Sequence, residues 1–176
     1  MSGLSTAPLS LEDVDAFEPA TFLDLFGGIA EHAPWVAEAA GGKRPFTSRD
    51  AMVEAFQRAV LDAPADRQTE LLRSHPDLAG RAALAGELTD DSTREQAGAG
   101  LDTLTPEEFA RFTALNDAYR ARFGIPFIIA VRGATKHTIL AAFENRISGS
   151  MLEERLTALA QVLRIVRFRL EDRVAG

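Results

Sequence analysis

The chain has 176 residues, 46% of them hydrophobic and 26% charged, a balance that supports one folded domain with its own core. It has no cysteine, which excludes disulfides, thiolate metal sites and a cysteine nucleophile and fits a reducing compartment. A net charge of −7 argues against a nucleic-acid binder, no apolar run approaches the ~20 residues of a membrane span, and Met1 to Thr6 opens no secretory leader, so the cytoplasm is the expected location.

Residues 1–9 are expected to be loose. Ser10-Leu11-Glu12-Asp13 opens a short helix with its acids in the first turn, where the helix dipole favours them. After Pro19, Phe22, Leu23, Leu25 and Phe26 give a second apolar face that ends at Gly27-Gly28. Ile29 to Ala40 is a third segment, with Trp35 directly after Pro34, and it stops at Gly41-Gly42. Thr47 and Ser48 are both candidate caps for a helix running to about Ala63, whose Met52, Val53, Phe56, Val60 and Leu61 recur at helical spacing. Pro64 starts the next, with Leu71 and Leu72 inward.

The stretch from Leu71 to Gln96 holds the best candidates for chemistry. Pro76 reads as the first residue of a helix, because its missing N–H is no loss there, and that places His75 at a helix mouth. An Ala-rich turn follows, and Ser92-Thr93-Arg94-Glu95 reads as the start of another helix. Further on, Thr105-Pro106-Glu107-Glu108 combines a capping threonine, proline at N1 and glutamate at N3. Phe109, Phe112, Leu115, Tyr119 and Phe123 continue that helix's stripe up to Gly124.

Ile125 to Val131 breaks the helical pattern: a continuous apolar run between Gly124 and Gly133, locally strand-like, with no second strand to pair with. Its buried peptide groups must be satisfied by a side chain, water or ligand, which makes it a candidate pocket wall. Thr135 to Ile147 returns to helix. A long last helix, about Ser150 to Val174, is expected to bury Leu152, Leu156, Leu159, Leu163, Val166 and Leu170. The fold class is all-α: a single compact multi-helix domain over residues 1–176, with one extended buried segment at about 125–131 and a long C-terminal helix.

His75 is a candidate general acid or base, and equally a residue of ordinary helix-end chemistry. Ser92 with Glu95 fits a capping box, yet a helix N-terminus with free N–H groups is also an anion site. His32, His75 and His137 lack the short spacing of a metal motif, so no metal is expected. Two lysines, Lys43 and Lys136, and no glycine-rich phosphate loop give no sign of a cofactor. Arg132, after the apolar run, and Arg169, one residue from the seam of the last helix, are positioned to pair with a carboxylate or to serve as surface cations.

Taken together, these pieces resemble the 2-oxo-4-hydroxy-4-carboxy-5-ureidoimidazoline (OHCU) decarboxylases of urate degradation. The resemblance rests on Pro34-Trp35-Val36-Ala37-Glu38 with Arg44-Pro45-Phe46, Ser74-His75-Pro76-Asp77-Leu78-Ala79-Gly80, and Ser92 to Gln96 with Ala99-Gly100-Leu101. It continues through Leu115-Asn116-Asp117-Ala118-Tyr119, Phe123 to Gly133 and Arg167-Phe168-Arg169-Leu170. It implies an all-α homodimer that needs no cofactor and releases CO₂ to give (S)-allantoin. His75 would be the proton donor and Glu95 its partner. Substrate contacts would come from Pro76, from Ser92, Thr93, Arg94, Glu95 and Gln96, from Phe127, Ile128, Ile129, Ala130 and Val131, and from Arg169. Ile125 stands where the family more often has phenylalanine, and the chain ends Val174-Ala175-Gly176 without a peroxisomal signal, which favours a bacterial-type cytoplasmic enzyme. The competing readings are a decarboxylase or hydrolase of another ureido compound, and a catalytically inactive helical interaction module.

Overall fold

The structure, a computed structural model, describes residues 7–176, and the expectation that the chain's start is loose falls for residues 1–6 outside the described part. At Leu9 the chain is held by an isolated parallel bridge to Val174: Leu9 donates to the Arg173 carbonyl at 2.8 Å and accepts from the Ala175 N–H at 2.8 Å. All regular elements among the described residues are helices: α1 (Leu11–Ala16), α2 (Pro19–Phe26), α3 (Pro34–Gly41), α4 (Arg49–Leu61), α5 (Ala65–Ser74), α6 (Arg81–Ala85), α7 (Asp90–Gly98), α8 (Pro106–Phe123), α9 (Lys136–Arg146) and α10 (Met151–Arg173).

Local chemistry accounts for most boundaries. Ser10 and Asp13 close a capping box on α1, and Thr105 and Glu108 do so on α8, which ends at Gly124 in the left-handed region at φ 68°. Of the two candidate caps for α4, Ser48 is used, its hydroxyl accepting from the Ala51 N–H at 3.0 Å. The third segment begins as helix only at Pro34, where proline occupies N1.

The chain divides into two compact units, one formed by the part up to Gln68 together with Leu163–Gly176, the other by Thr69–Val162. In the first, Phe22, Phe26 and Phe56 cluster with centroids 4.8 to 6.4 Å apart over fully buried Val14, Met52, Val53 and Val60. Val166, Leu170 and Val174 complete that core. The second is built on aromatics of α8, α9 and the segment between them: Phe127 stacks on Phe143 at 3.8 Å, and Tyr119 meets both edge-on at 5.4 and 5.7 Å. Burying such side chains contributes about 1.5–3 kcal/mol each.

The seam of α10 differs from the expected one. Leu159, Val166 and Leu170 are buried, but Leu152 and Leu156 are 66% and 58% exposed, and the first turns of the helix turn inward through Glu154 and Ala158. A leucine pattern mislocates this face because the inward position is a carboxylate, and it is tolerated there only because Arg146 and Tyr119 bind it.

Candidate active site

His75 closes α5 rather than opening a helix. Pro76 disfavours helical geometry in the residue before it, so α5 stops at Ser74 and His75 turns out of the helix. Pro76 itself starts no helix, because the following residues are drawn into a turn by other elements. Gln96 of α7 accepts from the Ala79 N–H at 2.9 Å, and Asn116 of α8 donates to the Leu78 carbonyl at 2.9 Å. Arg120 adds two bonds to Asp77 at 2.9 and 3.1 Å, and Ala79 sits at φ 50°. His75 is 5% exposed, and its Nδ1 lies 2.9 Å from the Leu71 carbonyl. A carbonyl only accepts, so Nδ1 carries a proton.

Helix α7 begins three residues earlier than the sequence suggests. Thr89 is the cap, its hydroxyl accepting from the Ser92 N–H at 3.2 Å, and Asp90 and Asp91 fill the first turn. Ser92 and Glu95 therefore form no capping box, since both lie inside the helix. Helical spacing puts Ser92, Glu95, Gln96 and Ala99 on one face. Ser92, Gln96 and Ala99 are buried and Glu95 is half-buried. Thr93 and Arg94 face outward: the Thr93 hydroxyl donates to the Thr89 carbonyl at 3.0 Å, and Arg94 pairs with Asp91. The bond from Ala79 to Gln96 fastens the turn after His75 to the helix residue next to Glu95.

Residues 125–131 are neither helix nor strand. As the unpaired run requires, side chains take up its peptide groups: Arg146 Nη1 donates to the Ile128 carbonyl at 2.8 Å, and Gln161 accepts from the Ala130 N–H at 3.0 Å. Phe127, Ile128, Ala130 and Val131 are buried, and Ile129 is half-buried. Behind the run, Arg146 stacks 4.4 Å over the Phe127 ring and is paired with Glu154, whose carboxylate also receives the Tyr119 hydroxyl. Burial pushes the Tyr119 hydroxyl above its ordinary pKa, and the bond to Glu154 adds to the shift.

Arg169 belongs to the other unit, with Glu31. The two side chains are each 2% exposed and meet at 2.6 Å, while Arg169 Nη1 donates to the Ile29 carbonyl at 3.2 Å. Arg132, His32 and His137 are exposed, and the described residues contain no group of three or more His, Cys, Asp or Glu able to hold a metal ion. Four residues of these networks carry no candidate role in the sequence reading: Arg146, Glu154, Gln161 and Glu31. Asn116 had a signal, being polar on the buried stripe of α8 between Phe112 and Tyr119.

A buried, oriented imidazole on a clamped turn, joined to a helix that carries a carboxylate, brings together on an all-α scaffold the group types that general acid–base chemistry uses. Comparison with known proteins gives the family. The OHCU decarboxylase family profile matches residues 15–171, and the chain belongs to that family. It is 45% identical to a 2-oxo-4-hydroxy-4-carboxy-5-ureidoimidazoline decarboxylase of Haloferax volcanii, over 96% of this chain and 98% of that protein. The corresponding protein of Mus musculus is 36% identical over 93% of this chain and 92% of its own length. Among solved structures, an (S)-allantoin synthase superposes with a TM-score of 0.77 at 33% identity, covering 96% of this chain and 54% of that one. An OHCU decarboxylase crystallised in the presence of (S)-allantoin shares the fold, with a TM-score of 0.67 at 20% identity over 84% of this chain and 94% of its own.

Proposed function

We propose that this protein is a carboxy-lyase that decarboxylates OHCU to (S)-allantoin in urate degradation, without a cofactor, with His75 and Glu95 as its catalytic pair. The observation that carries the reading is the clamped turn of His75, tied through Gln96 to the helix of Glu95. The substrate's carboxylate sits on a ring carbon that also bears a hydroxyl, beside a carbon doubly bonded to nitrogen that bears the ureido group. When the carbon–carbon bond breaks and CO₂ leaves, the electron pair moves into the adjacent carbon–nitrogen unit, so the substrate is its own electron sink. The hydroxyl then gives up its proton as it becomes the carbonyl, the ureido-bearing carbon gains one, and the nitrogen that took the pair is protonated from water.

In this reading Glu95 receives the hydroxyl proton and His75 delivers from Nε2, as the imidazolium, to one face of the ureido-bearing carbon, which sets the S configuration. Pro76, Ser92 and Gln96 line the site with Thr93 and Arg94 at its outer edge. The peptide groups of Phe127 to Val131 hold the ureido and ring amides. The protein acts in the cytoplasm as a homodimer, for which exposed Met151, Leu152 and Leu156 on α10 supply an apolar surface.

The test is kinetic. His75→Ala and Glu95→Ala each lower kcat by about 10²-fold or more while the melting temperature falls by only about 2–4 °C. Parallel loss of activity and stability in both variants would assign the two residues to the scaffold instead.

A further inference from the structure

We propose that Arg146 and Gln161 are positioning residues that aim both peptide groups of Ile129 at the substrate, so that one residue presents the donor and acceptor that read an amide edge of the ureidoimidazoline. The inference rests on the preceding reading that Phe127 to Val131 bind substrate.

The geometry follows from the planar peptide. Among the described residues the cis bond is at Arg44-Pro45, so the two peptides flanking Ile129 are trans, and in each the C=O and N–H point in opposite directions. Arg146 holds the Ile128 carbonyl at 2.8 Å, which turns the Ile129 N–H away from Arg146. Gln161 holds the Ala130 N–H at 3.0 Å, which turns the Ile129 carbonyl away from Gln161. The two braced groups are the ones on either side of Ile129, and Ile129 is the half-exposed member of an otherwise buried run. A backbone N–H with a C=O on one residue complements the H–N–C=O edge that a ureido group and a ring amide both display.

Arg146 is costly as mere filler. Phe127 is already fixed by stacking on Phe143 and by the edge of Tyr119, and an arginine–glutamate pair with side chains only 13% and 4% exposed loses hydration that apolar packing would not. What the ion pair adds is a directed bond. Glu154 binds the guanidinium at 3.0 to 3.3 Å through Nε and Nη2, which leaves Nη1 pointing at the Ile128 carbonyl. A lysine cannot hold both partners in one plane.

The experiment compares Gln161→Leu, Gln161→Glu and Arg146→Lys with the unaltered enzyme, measuring steady-state kinetics, melting temperature and the backbone amide NMR spectrum with added (S)-allantoin. Gln161 lies half-buried on α10, and its substitution spares the core. Gln161→Leu and Arg146→Lys should raise KM about tenfold with kcat within about threefold, and Gln161→Glu, which keeps the acceptor oxygen, should return KM to within about twofold. In the unaltered protein the Ile129 amide should shift on adding (S)-allantoin, and the shift should shrink in Gln161→Leu. If that amide shifts but KM stays unchanged in Gln161→Leu and Arg146→Lys, the positioning role is overturned while the segment's role stands. If the ligand moves the resonances of His75 and Ser92 but not those of Phe127 to Val131, the reading beneath the proposal fails, and the proposal with it.

Discussion

Arg169 and Glu31 pose the sharpest question for a single side chain. Both are buried, they bind each other at 2.6 Å, and the guanidinium also holds the Ile29 carbonyl. Removing one partner from such a pair costs about 3–5 kcal/mol, because the other charge stays in the interior. Arg169→Met should therefore lower stability by about that amount, and Arg169→Met with Glu31→Leu should recover most of it. A double variant no more stable than Arg169→Met alone would show that the pair is not held this way; thermal melts decide. At this scale the sequence was readable where a residue carries its own signal. His75 stood out beside Pro76, although the proline ends one helix instead of starting another. Glu31, Arg146 and Gln161 carried none, because their roles come from a guanidinium, a carbonyl and an amide brought to them by other parts of the chain.

For the helices, a cap decides more than a periodic stripe. Thr89 with Asp90 and Asp91 starts α7 three residues before Ser92, and this moves Glu95 from a structural box to the interior of the helix, where capping no longer explains it. The boundaries of α1, α4 and α8 were legible because their caps are local. The inward face of α10 was not, because Glu154 is made tolerable by Tyr119 on α8 and Arg146 on α9. The Tyr119 hydroxyl also yields a test with a definite sign. Its pKa is raised above the ordinary 10.0 by burial first and by Glu154 second, so folding favours its protonated form. That contribution is complete below the unfolded value and is lost as pH rises past it toward the folded one. Between about pH 9 and about pH 11 the melting temperature should fall more steeply for the unaltered protein than for Tyr119→Phe. Parallel curves would show that the hydroxyl is not held this way.

We propose that, across the whole chain, an acidic all-α protein recognises a polar ureido substrate with few charges, through peptide groups and one imidazole. No helix among the described residues is long and apolar enough to cross a membrane. The helical class and the unpaired run at 125–131 were legible as pattern, whereas the division into two compact units was not, since α5 and α10 pass through both without a break in composition. The proposed homodimer predicts a solution mass of two chains, each 19.0 kDa, that falls to one chain when Leu152 and Leu156 are both changed to Glu. An unchanged mass would place the interface elsewhere. The most direct measurement generates OHCU in situ with urate oxidase and hydroxyisourate hydrolase and follows the circular dichroism of the product, with the uncatalysed reaction as control. Accelerated formation of (S)-allantoin alone, lost in His75→Ala, is the expected result; racemic allantoin at the uncatalysed rate would contradict the proposed decarboxylation.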